Sequence, residues 1–118
     1  MDDIYSFLVN DEMFNKIMTG SKSVHLFVNS SKYKSLAAGN EIGFVFGEGD
    51  NQQKAEAVIE SILYFPSVVE AIEAVGKEKC GYKNSQSLDK ASDLFLSGES
   101  SYEQIEKYGI GAILFKLK

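Results

Sequence analysis

Between Gly20 and Ser30 the chain reads GSKSVHLFVNS, and this stretch places the only histidine of the sequence three residues after a lysine. Lys22, Ser23, His25 and Phe27 are the residues here that could do chemistry. An ammonium in a partly desolvated cleft loses basicity and can hold a phosphate or polarise a carbonyl. An imidazole, titrating ordinarily near about 6.5, can act as a general base or hydrogen-bond a nucleobase edge. A phenyl ring facing such a cleft offers stacking worth about 1–3 kcal/mol per base. Each has a plainer reading. Lys22 follows a helix stop and complements the helix dipole, a lone histidine is most often a satisfied structural residue, and Phe27 packs a core. Ser23 and His25 do not make a triad, because no third carboxylate is placed to orient the imidazole.

Further along, Tyr33 and Tyr82 are large rings in loop-like stretches, suited to a ligand or to covering an open end of the core. Glu56 and Glu60, four apart on one face of an extended segment, supply either a cleft carboxylate opposite Lys22 or a solvated face, and Glu78 is a further candidate acid. Cys80, the only cysteine, lies in KEKCGYK with no second cysteine or histidine beside it, so it reads as a reduced thiol with no metal or redox role. No metal site and no cofactor are expected.

The elements that must position these groups follow from periodicity and caps. YSFLVN is a first strand. A helix runs over Asp11–Thr19, with Asp11 as its cap, an apolar face of Met13, Phe14, Ile17 and Met18, and Gly20 as its stop. In the next strand Val24, Leu26 and Val28 alternate with Ser23, His25 and Phe27, so its two faces differ. SSKYKSLAAGN is a loop with one helical turn, closed by Gly39-Asn40, and Ile42 to Phe46 is a strand. QKAEAVIESILYF alternates as a long strand ended by Pro66, after which Ser67 caps a short helix reaching Gly76. Ser87 caps a helix with Leu88, Ala91, Leu94 and Phe95 on one side, Ser100 or Ser101 starts another helical turn or two ending at Gly109, and IGAILFKLK is a final strand.

With 118 residues, 44% hydrophobic and 12% aromatic, the chain is read as a single domain, residues 1–118, with one core. No apolar run approaches the roughly 20 residues of a membrane span, and the acidic start is unlike a secretory signal, so a cytoplasmic protein away from membranes is expected. The net charge is −5, and all 12 basic residues are lysine. An acidic chain lacks the global field for duplex DNA, and the absence of arginine removes bidentate phosphate or guanine recognition, so any nucleic-acid contact is local. Closely spaced strands with intervening helices fit an α+β fold built on a small, mainly antiparallel barrel.

A helix followed by TGSKSVHLFV and then LAAGNEIGFV resembles the ASCH domain of the PUA-like superfamily. That family carries a helix ending in G-x-K, a strand T-[IV]-E-x-R and a G-D-x-[IV] turn. Gly20, Lys22, Ser23, Val24, Gly39 and Ile42 match, whereas His25, Phe27 and Asn40 depart from it. FPSVVEAIEAVGKEKCGYKNSQSL and the closing YGIGAILFKL are similar to the corresponding family stretches. The resemblance implies a five- or six-stranded pseudo-barrel with a cleft between the second strand and the flanking helices, proposed to hold RNA or a nucleoside. Some bacterial relatives hydrolyse acetylcytidine with a lysine, a threonine and a glutamate. Lys22 matches the lysine, His25 falls at the threonine, and the glutamate aligns near Cys80.

Three functions are therefore carried forward. The first is a binding module for single-stranded RNA, a nucleotide or a nucleoside, with Lys22, Ser23, His25, Phe27, Tyr82 and Glu60 as ligand-binding residues. The second is a small amidohydrolase acting on an acetylated nucleoside, with Lys22 as the catalytic base and Glu60 or Glu78 assisting. The third is a protein-interaction domain without a small ligand.

Overall fold

A computed structural model describes residues 5–83, 85–98 and 102–118. Its elements are β1 (Tyr5–Leu8), α1 (Asp11–Thr19), β2 (Val24–Val28), a 3-10 turn at Ser31–Tyr33, β3 (Glu41–Phe46), a second at Gly49–Asn51, β4 (Gln53–Phe65), α2 (Val68–Val75), α3 (Leu88–Gly98), α4 (Tyr102–Tyr108) and β5 (Ile110–Leu117). The expected caps at Ser100 or Ser101, and the expected facing of Leu94, lie outside the described residues and side chains. The cap of α1 is Asn10 instead of Asp11. Its Oδ1 accepts from the Met13 N–H at 2.8 Å, which leaves Asp11 in the first turn, where its charge meets the positive end of the helix dipole. Ser67 and Ser87 cap α2 and α3 as the sequence indicates, accepting from Glu70 N at 3.2 Å and Lys90 N at 3.1 Å.

The strands form one sheet in the order β1-β3-β4-β5-β2. Every pairing is antiparallel except β1 with β3, whose register sets Tyr5 beside Ile42. β1 and β2 are the two margins, and no backbone pairing joins them among the described residues. The sheet nevertheless curls far enough to bring their side chains together. The Phe7 ring of β1 lies 4.5 Å from His25 and 6.5 Å from Phe27 of β2. Tyr33 fills the remaining gap, stacked on Phe7 at 5.6 Å and edge-on to Phe27 at 5.1 Å. The result is a half-barrel whose seam is shut by rings instead of hydrogen bonds. Gly111, paired with Phe27 across β2 and β5, makes room for this, because a Cβ there would overlap the Phe27 ring.

The two faces of the sheet bury two separate cores. On the convex face Val24, Leu26, Val28, Ile110 and Ala112 pack under Val68, Ala71 and Ile72 of α2, Ala91 and Phe95 of α3, and Ile105 of α4. On the concave face Phe7, Phe27, Ile42, Phe44, Ile59, Ile113 and Phe115 close against Phe14 and Ile17 of α1 and against Leu36. Burying an aliphatic or aromatic side chain of this size contributes about 1.5–3 kcal/mol. All five residues of β2 are therefore buried. The alternation read from the sequence separates one core from the other, not core from solvent.

Candidate functional site

The site begins where α1 stops. Gly20 adopts φ +85°, and its N–H caps the helix on Ile17 O at 3.2 Å. The chain then doubles back, Lys22 N donating to Lys16 O at 3.0 Å, and runs into β2. This returning segment and the last turn of α1 are fastened to the loop after α2 through three successive carbonyls. Lys79 O accepts from Ser23 N and Val24 N, each at 3.0 Å. Cys80 O accepts from Lys22 Nζ at 2.7 Å, and Gly81 O from Lys16 Nζ at 2.7 Å. Lys22 Nζ also donates to Val24 O at 2.8 Å. Gly81 permits the close approach, with φ +94° and an imagined Cβ only 2.6 Å from Met13 Sδ and 3.1 Å from Lys22 Cδ. An open cleft of about 560 Å³ lies outside this lock, with Lys16, Ser21, Glu78, Gly81, Tyr82, Lys83 and Ser85 around it.

Burial sets the electrostatics. Lys22 is 5% exposed, and the loss of hydration lowers its pKa from 10.5 to about 8. Cys80 acts against this lowering, and the nearby Lys16 charge adds to it. His25, 6% exposed, is held well below its ordinary 6.5 by burial first and by the Lys22 charge second, so it is neutral at pH 7. Its ring lies between Phe7 at 4.5 Å and Phe44 at 5.3 Å, and Nε2 is fully buried without a hydrogen-bond partner among the described residues. The Cys80 thiol is pushed up to about 11 by burial, against the pull of Lys22, so it stays protonated and is a poor nucleophile.

The structure brings some of the sequence-derived candidates together and separates others. Lys22 stands behind the cleft wall, its ammonium donating to two main-chain carbonyls. Ser23 is half-buried, its N–H on Lys79 O and its C=O accepting from Phe115 N at 3.1 Å. Tyr82 lines the cleft while packing into the convex core, and Glu78 is also on the lining. Phe27 is in the concave core at 2% exposure, covered by Tyr33. Glu60 is exposed in a β-bulge, unpaired between Ile59–Phe115 and Ser61–Leu114, and makes no ion pair among the described residues. Glu56 faces Lys118 at 3.8 Å. Lys16, Ser21, Gly81, Lys83 and Ser85 were not singled out from the sequence. Lys16 carries only a local signal there, as the cation four residues after Glu12 in the last turn of α1, a pair seen at 3.2 Å. Among the described residues no group of three His, Cys, Asp or Glu could hold a metal ion, and no helix is long and apolar enough to cross a membrane.

No protein-family model and no curated protein sequence matches the chain. Solved structures do. The crystal structure of the hypothetical protein PH0355 superposes with a TM-score of 0.83 at 20% identity, covering 98% of this chain and 100% of that one. A Pyrococcus furiosus protein determined by solution NMR gives 0.72 at 17% identity, covering 98% and 97%. A tyrosine-to-phenylalanine mutant of ZmASCH from Zymomonas mobilis gives 0.59 at 15% identity, covering 94% of this chain and 67% of that one. Together with the curled five-stranded sheet and its flanking short helices, these superpositions establish that the chain has the ASCH-type, PUA-like fold.

Proposed function

We propose that this domain is a binding module that takes a nucleotide, a nucleoside or a segment of single-stranded RNA in the cleft between the end of α1, the turn at Ser21 and the loop that follows α2. One observation carries the reading. The cleft, about 560 Å³, is within the roughly 300–1,000 Å³ of small-molecule sites, and its walls are fastened by main-chain and ammonium bonds before any ligand arrives. Preorganisation of this kind lowers the ordering cost of binding. Tyr82, Ser21 and Lys83 are the contacting groups in this reading, with Lys16 adding its charge beside them and Lys22 supporting the wall from behind, while His25 sits between Phe7 and Phe44 in the concave core. Phe27 and Glu60 take no part, since one is sealed in the concave core and the other projects from a bulge. We read residues 1–118 as one domain, and the reduced thiol Cys80 suits a cytoplasmic setting.

The test is a thermal-shift panel of nucleosides, nucleotides and short RNA oligomers on the purified protein. A dose-dependent rise in Tm, following the ordinary linkage of ligand to the folded state, is expected for at least one member. No shift with any of them would defeat the reading and leave a protein-interaction role. A second reading, an amidohydrolase of acetylated nucleosides with Lys22 as its base, has in its favour the lowered pKa of about 8 and against it the two main-chain carbonyls that occupy the buried ammonium. Acetate release from acetylcytidine, lost in Lys22→Ala, would establish it.

A further inference from the structure

We propose that the cleft selects phosphate monoesters, so that its ligand is a mononucleotide in preference to the corresponding nucleoside. This rests on the reading of the cleft as a nucleotide or nucleoside site and adds to it the class of ligand. The chain as a whole is acidic, at −5, yet the cleft is not. Among the described residues two ammonium groups, Lys16 and Lys83, line it against the one carboxylate of Glu78, and the buried Lys22 lies behind Gly81. The Lys16 charge is only lightly offset by Glu12, because that carboxylate is 63% exposed and surface pairs are well screened.

The two lysines differ in what they are free to do. Lys16 is occupied by Gly81 O, so it contributes field. Lys83 is exposed at the rim, and its main chain is held in a closed turn by Gln86. Lys83 N donates to Gln86 Oε1 at 2.9 Å, Gln86 N donates to Lys83 O at 3.0 Å, and Lys77 Nζ fixes Gln86 O at 2.7 Å. A cation on a fixed base, with the Ser21 and Ser85 hydroxyls on the same lining, suits the several acceptor oxygens of a phosphate. A lysine binds phosphate as a point charge and needs no planar fork, and a phosphate monoester brings close to two negative charges where a carboxylate brings one, so phosphate is the anion that two ammonium groups favour.

Calorimetric titration of the four nucleosides, their 5′-monophosphates and inorganic phosphate against the full chain tests this. The best monophosphate is expected to bind at least about tenfold tighter than its nucleoside at low salt, with the margin shrinking as salt rises. Inorganic phosphate is expected to bind more weakly than the monophosphate. Lys83→Gln, at an exposed position, narrows the monophosphate-to-nucleoside ratio by roughly threefold to tenfold, and Glu78→Gln widens it. Equal affinity for nucleoside and monophosphate, or a ratio untouched by both variants, overturns the phosphate assignment while the cleft reading stands. Inorganic phosphate binding as tightly as the monophosphate overturns the nucleotide class. Failure of every nucleoside and nucleotide to bind overturns the phosphate assignment, and the cleft reading falls with it only when the RNA oligomers of the thermal-shift panel fail as well.

Discussion

Lys22 can be isolated by substitution and by pH. Methionine at position 22 keeps an unbranched apolar chain as far as Cε and removes the ammonium. In the folded protein Lys22 is 5% exposed, with a pKa lowered from 10.5 to about 8, so keeping it protonated costs about 3 kcal/mol at ~1.4 kcal/mol for each pH unit. Lys22→Met removes that cost but strands Cys80 O and Val24 O, each losing a bond from a charged donor at about 1.5–3 kcal/mol. The gain of about 3 kcal/mol stands against a loss of about 3–6 kcal/mol, so the variant is expected to be no more than about 3 kcal/mol less stable than the parent at pH 7. The pH dependence does not cancel. Between pH 8 and 10.5 the unfolded lysine still holds its proton while the folded one has lost it, so stability rises with pH through that window. Cys80 opposes this from pH 9, because the unfolded thiol ionises there and the folded one only near about 11. The parent is therefore expected to gain about 1 kcal/mol from pH 8 to 9 and then level off, and Lys22→Met to lose the gain. Urea denaturation at half-unit steps from pH 7 to 10 reads both. A parent-minus-variant difference that is flat or falls between pH 8 and 9 would refute the buried-ammonium argument.

Gly81→Ala places a Cβ 2.6 Å from Met13 Sδ at φ +94°, so a loss of about 2–4 kcal/mol in denaturant midpoints is expected, together with weaker ligand binding as the 79–81 fastening shifts. Gly111→Ala drives the Phe27 ring off its seat at a cost of about 1–3 kcal/mol, visible as a changed near-ultraviolet spectrum from the surrounding aromatic cluster. His25 is buried neutral, so the unfolded state takes up its proton first and stability falls as pH drops below 6.5. His25→Leu removes that acid slope and, by deleting an unpartnered Nε2, raises stability at pH 7 by about 1 kcal/mol in the same denaturation assay.

Strand and helix positions were legible because they are local. The Gly20 stop, the Ser67 and Ser87 caps and the alternation of β4 are set by neighbours a few residues away. The period-2 reading of β4 holds from Ala55 to Ile59 and slips at the bulge, which leaves Glu60 without a partner on β5. The site was less legible because its bonds are long-range. Lys22 reaches Cys80 across 58 residues and Lys16 reaches Gly81 across 65, and neither pairing has a periodic or compositional trace. The family resemblance pointed to Lys22 and to the neighbourhood of Cys80, which the fold does bring into contact. It could not show that the ammonium is bonded to carbonyls, because main-chain geometry has no residue type. Phe27 illustrates the same limit, since its alternation identified its face correctly while the burial of both faces of β2 depends on α1 and the ring of Tyr33.

A seam closed by rings alone also sets how the molecule comes apart. β5 is hydrogen-bonded on both sides, whereas among the described residues the four of β1 pair with β3 alone. Lifting β1 away breaks one short ladder and the contacts of Phe7, while extracting β5 requires tearing the sheet in two. Solvent deuterium should therefore enter the amides of β1 long before those of β5, and the phenylalanine on that first strand is the latch that fraying must undo.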